Sequence, residues 1–185
     1  MAAALEREIK LRFESPAEAR DAVLATGAAP IRSRRLQEDC LLDTPAGCLR
    51  SSRSALRIRV EQGRALITFK GPVQPSVMKL REELETVVGD GQVLLRLLAE
   101  LGFRVWFRYE KYREEFALND VILAIDETPV GTFVEVEGSA IGIAAAAEAL
   151  GRGPADYLVD SYRALFMQHC ERHGVQPTDM MFENG

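Results

Sequence analysis

The chain has 185 residues, 47% of them apolar and 28% charged, with a formal net charge of −5. That is the composition of a soluble globular chain with enough material for one core. The acidic balance excludes a nucleic-acid binder held by a broad basic surface, though not basic residues gathered inside a cavity. Three cysteines (Cys40, Cys48 and Cys170), with no C-x-x-C pair, exclude a disulfide framework and make a reducing cytoplasm the expected compartment. No run approaches the ~20 apolar residues of a membrane span, and Met1 to Leu5 is too short for a signal peptide.

Residues 5–14 alternate as a strand. Ser15-Pro16 then opens a helix to about Thr26, with Ser15 as N-cap, Pro16 at the first helical position and Gly27 as the stop. A second strand is predicted over 31–43, ending in the turn Asp43-Thr44-Pro45-Ala46-Gly47. Segments 54–61 and 64–70 flank Gln62-Gly63 as a hairpin. After Gly71-Pro72 comes a charged strand at 77–88. A helix at about 90–101 carries Val93, Leu94, Leu97, Leu98 and Leu101 at helical spacing and is capped by Gly102. Strands follow at 103–117, 120–127 and 132–138. The chain then turns helical: an Ala-rich run at 141–150, suited to packing, and a second helix at about 155–173. The tail after Gly174 reads as loose. The division is one domain over 1–174 and a tail over 175–185.

Eight strands with short connections favour antiparallel pairing. Alternate residues in a strand face opposite ways. Glu6, Glu8 and Lys10 therefore share a face, with Ile9, Leu11 and Phe13 on the other. The same division separates Arg57, Arg59 and Glu61 from Leu56, Ile58 and Val60. It separates Thr68 and Lys70 from Ile67 and Phe69, and Lys79, Arg81, Glu83 and Glu85 from Leu80 and Leu84. Lys111, Arg113, Asp126, Glu135 and Glu137 continue the series. Only four of the 23 basic residues are lysine, namely Lys10, Lys70, Lys79 and Lys111, and all four fall on these faces. Solvated lysines would scatter over helices and loops as well. Carboxylates brought together repel unless a cation joins them, which points to a metal site. The plain alternative is a solvated sheet face with ion pairs contributing at most ~1 kcal/mol each. The sharper one is a closed barrel that turns the charged faces into an interior lining.

Seven segments, in order, resemble the CYTH domain of the triphosphate tunnel metalloenzyme superfamily, which includes class IV adenylyl cyclases, thiamine triphosphatases and inorganic triphosphatases. They are Glu6-x-Glu8-x-Lys10, Ala55-Leu56-Arg57-Ile58-Arg59, Thr68-Phe69-Lys70-Gly71-Pro72, Arg81-Glu82-Glu83, Glu110-Lys111-x-Arg113, Ile125-Asp126-Glu127 and Gly131 through Glu137. The likeness spans about residues 5–165, and Ser161-Tyr162 is similar to a pair near the end of cyclase-like members.

The resemblance implies an α+β fold, an eight-stranded antiparallel β-barrel forming a tunnel with helices packed outside. It implies Mg²⁺ or Mn²⁺ on Glu6, Glu8, Asp126, Glu135 and Glu137. A triphosphate would be gripped by Lys10, Arg57, Arg59, Lys70, Lys79, Arg81, Glu83, Lys111 and Arg113, with Glu8, Lys10, Lys70 and Arg113 in the catalytic role. The expected substrates are ATP, thiamine triphosphate or tripolyphosphate. Neither nucleic acid nor membrane is an expected partner, and a homodimer is left open. Cys40-Leu41-Leu42 stands where many relatives have an aromatic pair. No lysine follows Lys111, which counts against thiamine triphosphate as the specific substrate.

Hydrolysis of a triphosphate is the leading expectation. Cyclisation of ATP to cyclic AMP and pyrophosphate is the alternative, and a non-catalytic nucleotide or polyphosphate sensor is the reading from another class. His169 and His173 stand four apart on the last helix without the H-E-x-x-H order, and no Walker-type P-loop occurs. An exposed helix accounts for the first. Trp106 is expected to face the core or a partner.

Overall fold

The computed structural model describes residues 4–183. Residues 1–3, part of the segment expected to be too short for a leader, and the last two residues of the expected tail lie outside it. In chain order the elements are β1 (Ala4–Phe13), α1 (Pro16–Ala25), β2 (Ala29–Asp43), α2 (Cys48–Ser51), β3 (Ala55–Glu61), β4 (Arg64–Lys70) and β5 (Lys79–Val88). There follow α3 (Gly91–Glu100), β6 (Arg104–Leu118), β7 (Val121–Thr128), β8 (Gly131–Gly138), α4 (Ala140–Ala149), a 3₁₀ turn at Pro154–Asp156 and α5 (Tyr162–His173). The strands close into one antiparallel barrel in the order β1-β5-β4-β3-β2-β6-β7-β8, with β8 returning to β1. The α+β fold and closed tunnel that the resemblance implied are the fold observed, and of the two readings left by the alternation the closed barrel holds.

Local chemistry sets the element boundaries. Ser15 accepts a hydrogen bond from the Glu18 amide and caps α1, and Asp90 caps α3 from the Gln92 and Val93 amides. Gln62 and Gly63 both take positive φ (47° and 75°), the tight turn whose twist matches the flanking strands β3 and β4.

The outer faces of β1, β6, β7 and β8 bury Ile9, Leu11, Phe116, Leu123, Val134 and Val136 against α1 and α4. Ala19 and Val23 come from α1, and Ile143, Ala146 and Ala147 from the Ala-rich α4. Each such side chain contributes about 1.5–3 kcal/mol of burial when it is large. On the far side the packing is thinner. Leu84 on the outer face of β5, Val93 and Leu97 of α3 and the C-cap Leu101 are exposed.

A second core lies within one end of the barrel. Phe107, Tyr109 and Phe133 pack there against Tyr162, Leu165, Phe166 and Cys170 of α5 and against Met180. Two sequence expectations are corrected in this region, and a third is extended. The last helix begins at Tyr162, not at about 155, because Leu158 is extended and paired with Lys10. Their N–H and C=O groups exchange two 2.9 Å hydrogen bonds where β1 has run past the end of β5. The tail is not loose through Met180. Its N–H donates to the Arg108 carbonyl and its carbonyl accepts from the Glu110 N–H, both at 2.9 Å, along the half of β6 that β7 does not reach. Phe182 then packs its ring, tilted by 39°, against Tyr112. Finally, the turn after β2 continues into α2. The Asp43 carboxylate collects the Thr44, Leu49 and Arg50 amides and the Arg50 Nε, a cap the turn motif concealed.

Candidate active site

The inner faces enclose a cavity of about 600 Å³. Its acidic side is built by β1 and β8. Strand register sets Glu8 opposite Glu137 and Lys10 opposite Glu135, while on the other side of β1 it sets Glu6 opposite Arg81 and Glu8 opposite Lys79. Because the side-chain period is two, all of these point inward together.

Lys10 lies between two acids, with Nζ 2.8 Å from Glu8 and 3.2 Å from Glu135, and Lys79 Nζ is 2.6 Å from the same Glu8 oxygen. Burial and Glu135 push the Glu8 carboxyl up, but Lys10, Lys79 and Lys70 more than offset them and hold it well below the usual carboxylate range. Burial would lower Lys10, yet Glu8 and Glu135 keep it above its ordinary value. Lys79 is brought down to about 8 by burial and the nearby Lys10, with Glu8 offsetting part.

Lys70 of β4 pairs with Glu6 at 2.8 Å and with Glu83, and Arg81 reaches Glu6 at 3.1 Å. The other wall comes from β2, β3 and β6. Arg59 grips Asp39 through Nε and Nη2 at 2.9 and 3.1 Å. Arg57 reaches Thr68 at 3.1 Å and Glu85 at 3.2 Å. Arg113 spans Asp126 and Glu135 at 2.6–2.7 Å. Lys111 Nζ is 2.8 Å from Asp126 and is pulled down to about 7 by burial and by Arg113, with Asp126 and Glu135 opposing.

Of the residues singled out from the sequence, Lys10, Lys70, Lys79, Lys111, Arg57, Arg59, Arg81, Arg113, Glu6, Glu8, Glu83, Glu135 and Glu137 all line this one cavity. Asp126 stands apart. It is fully buried, and its oxygens are taken by Arg113, Lys111 and the Tyr162 hydroxyl, so it orients two cations instead of facing the cavity. Asp39, Gln37, Tyr109 and Glu115 complete the interior and were not assigned from the sequence. Asp39 and Gln37 sit on a strand whose outer face mixes Arg34 and Glu38 with Leu36 and Leu42, so the alternation of polar and apolar residues is blurred there.

The carboxylates suit a hard divalent cation. Glu137 has no cationic partner among the described residues, and it faces other acids. Burial of its carboxyl end, then Glu135, Glu6, Glu8 and Glu83, push it up to about 7. Glu6 is likewise raised, by burial and Glu8 against Lys70. A positive ion among Glu6, Glu8, Glu135 and Glu137 would relieve this repulsion. Among the described residues no group of three or more His, Cys, Asp or Glu side chains is preassembled as a ligand set. The acids pair instead with lysine and arginine. His169 and His173 stack at 4.3 Å on α5, away from this cavity. No helix of the described residues is long and apolar enough to cross a membrane.

The family model for the CYTH domain matches residues 4–152. A protein of Methanocaldococcus jannaschii, provisionally named an adenylate cyclase, is 30% identical over 136 residues, 73% of this chain and 77% of the relative. A Vibrio parahaemolyticus structure with the same provisional name superposes with a TM-score of 0.79 at 20% identity, over 90% of this chain and 99% of that one. A Hippeastrum protein, provisionally named an adenylyl cyclase and described as having a dominant triphosphatase activity, gives a TM-score of 0.66 at 22% identity, over 93% and 97%.

Proposed function

We propose that this chain, which belongs to the CYTH domain family, is a divalent-metal-dependent enzyme that hydrolyses a triphosphate. One observation carries the reading: two acid pairs, Glu6/Glu8 and Glu135/Glu137, line a single cavity with Arg57, Arg59, Arg113 and four lysines. Binding a polyanion alone needs the basic wall. The density of acids beside it suits a cation that accompanies the phosphates, which speaks for catalysis over a sensor. Mg²⁺ or Mn²⁺ on Glu6, Glu8, Glu135 and Glu137 would neutralise phosphate charge and orient the attacking water.

Phosphoryl transfer asks the protein mainly to position charge. Arg57, Arg59 and Arg113 present planar forks that match phosphate oxygens, while Lys10, Lys70 and Lys79 act as point charges. Water would attack the terminal phosphorus in line as the bridging P–O bond breaks, and the departing oxygen would leave as diphosphate with its charge held by the basic wall. Asp126 keeps Arg113 and Lys111 aimed inward throughout, and Tyr162 fixes Asp126.

The second reading is cyclisation of ATP. It is favoured by the provisional cyclase name of the Methanocaldococcus jannaschii relative, whereas the triphosphatase activity described for the Hippeastrum protein favours hydrolysis. The test is incubation with tripolyphosphate, ATP and thiamine triphosphate in Mg²⁺ and Mn²⁺, scoring phosphate, pyrophosphate and cyclic AMP. Phosphate release without cyclic AMP is expected. Cyclic AMP with pyrophosphate would establish the second reading, and binding without any product would establish the sensor.

A further inference from the structure

The two ends of β3 differ in charge. At its C-terminal end the arginines are neutralised: Arg35 bonds Glu61 at 2.9 Å and Glu115 at 2.6 Å, and Arg32 pairs with both of the same acids. Before its N-terminal end, Arg50, Arg53 and Arg163 line the cavity together with Trp106. Among the described residues neither Arg53 nor Arg163 has a carboxylate within ion-pairing distance, and Arg50 has only Asp43. The guanidinium carbons of Arg50 and Arg163 lie 4.6 and 4.7 Å from the Trp106 ring centroid, a stacking that holds both arginines in place. In a chain of net charge −5 this is a local excess of positive charge, open to solvent at the exposed Arg53.

We propose that Arg50, Arg53 and Arg163, arrayed about Trp106, form an anion subsite continuous with the tunnel, and that it holds the further phosphates of a linear polyphosphate longer than tripolyphosphate. The inference rests on the triphosphate reading of the cavity and adds the substrate class to it. Geometry supports continuity. Ala55 also lines the cavity and stands two residues before Arg57, about 7 Å along an extended strand. A phosphate chain gripped by Arg57 would have room to run on toward the arginine group. The chemistry disfavours the other occupants. A thiazolium-bearing triphosphate would bring positive charge against three guanidiniums. A nucleobase would have to displace guanidiniums that already occupy the indole.

The experiment is calorimetric titration of the wild-type protein and of the Arg53→Ala/Arg163→Ala double variant with tripolyphosphate and with linear polyphosphates of increasing length, under the same divalent-ion conditions. Wild type is expected to bind a longer chain about tenfold or more tighter than tripolyphosphate, the scale of one added charge-assisted contact. The double variant should lose that preference while binding tripolyphosphate as wild type does, which also shows it to be folded. Equal wild-type affinity for both ligands, or a preference that survives in the double variant, would overturn the subsite. Failure of wild type to bind tripolyphosphate at all would instead overturn the triphosphate reading beneath it.

Discussion

Glu8 and Glu137 stand directly opposite each other on neighbouring antiparallel strands, both on the inner face of the barrel. Like charges so placed destabilise a sheet. Glu8 escapes through Lys10 and Lys79, and Glu137, with no such partner among the described residues, is held up at about 7. The arrangement is costly for the protein alone and useful once a cation sits between the strands.

That cost has a pH signature. Glu137 titrates near 7 folded and near 4.5 unfolded, so the folded state holds the extra proton and stability is lost as pH rises from about 4.5 through 7. Glu137→Gln should match wild type at pH 4 and exceed it at pH 8. The gain should be no more than about 1 kcal/mol, since the residue is exposed and solvent screens it. Urea unfolding at the two pH values checks this. Adding Mg²⁺ at pH 8 should raise the wild-type midpoint more than that of the variant.

Asp126 and Tyr162 separate the buried network from a simple hydrogen bond. Asp126→Asn leaves Lys111 buried without its carboxylate and Arg113 with Glu135 alone, and should destabilise by about 3–5 kcal/mol. Tyr162→Phe keeps the ring against Phe133 and loses only the hydroxyl's bond to a carboxylate, at about 1.5–3 kcal/mol. Denaturant midpoints of the two variants should differ accordingly.

Glu135 touches Arg113 and Lys10 and belongs to the acid set proposed for the ion. Glu135→Gln should lower turnover of tripolyphosphate by about 10²-fold or more, the scale for losing a preorganised charge at the reacting centre. Steady-state kinetics decide the matter, and an unchanged rate removes Glu135 from the site.

Met180 is fully buried between β6 and α5. Met180→Ala should cost about 2–5 kcal/mol by leaving a cavity, and truncation after Gly174 should lower the thermal midpoint further. A tail that merely frays would show neither.

The alternation of charge along the strands made the shared face of Lys10, Lys70, Lys79 and Lys111 legible, while closure into a barrel came from the family resemblance. What stayed hidden depends on gaps between strands, which local sequence does not encode. Leu158 is extended because β5 stops beside Glu8, and Met180 is paired because β7 stops beside Tyr112. The strand face of Asp126 could be read from the sequence, but its full burial and its contacts to Arg113, Lys111 and Tyr162 could not. Asp39 went unassigned because its partner Arg59 lies twenty residues away, on a neighbouring strand.

The central claim is tested most directly by anomalous diffraction from crystals grown with Mn²⁺ and a non-hydrolysable triphosphate. The account predicts a manganese peak inside the barrel among Glu6, Glu8, Glu135 and Glu137, with phosphates reaching Arg57, Arg59 and Arg113. Manganese and phosphates found outside the barrel, with the interior ion pairs left as they are, would contradict it.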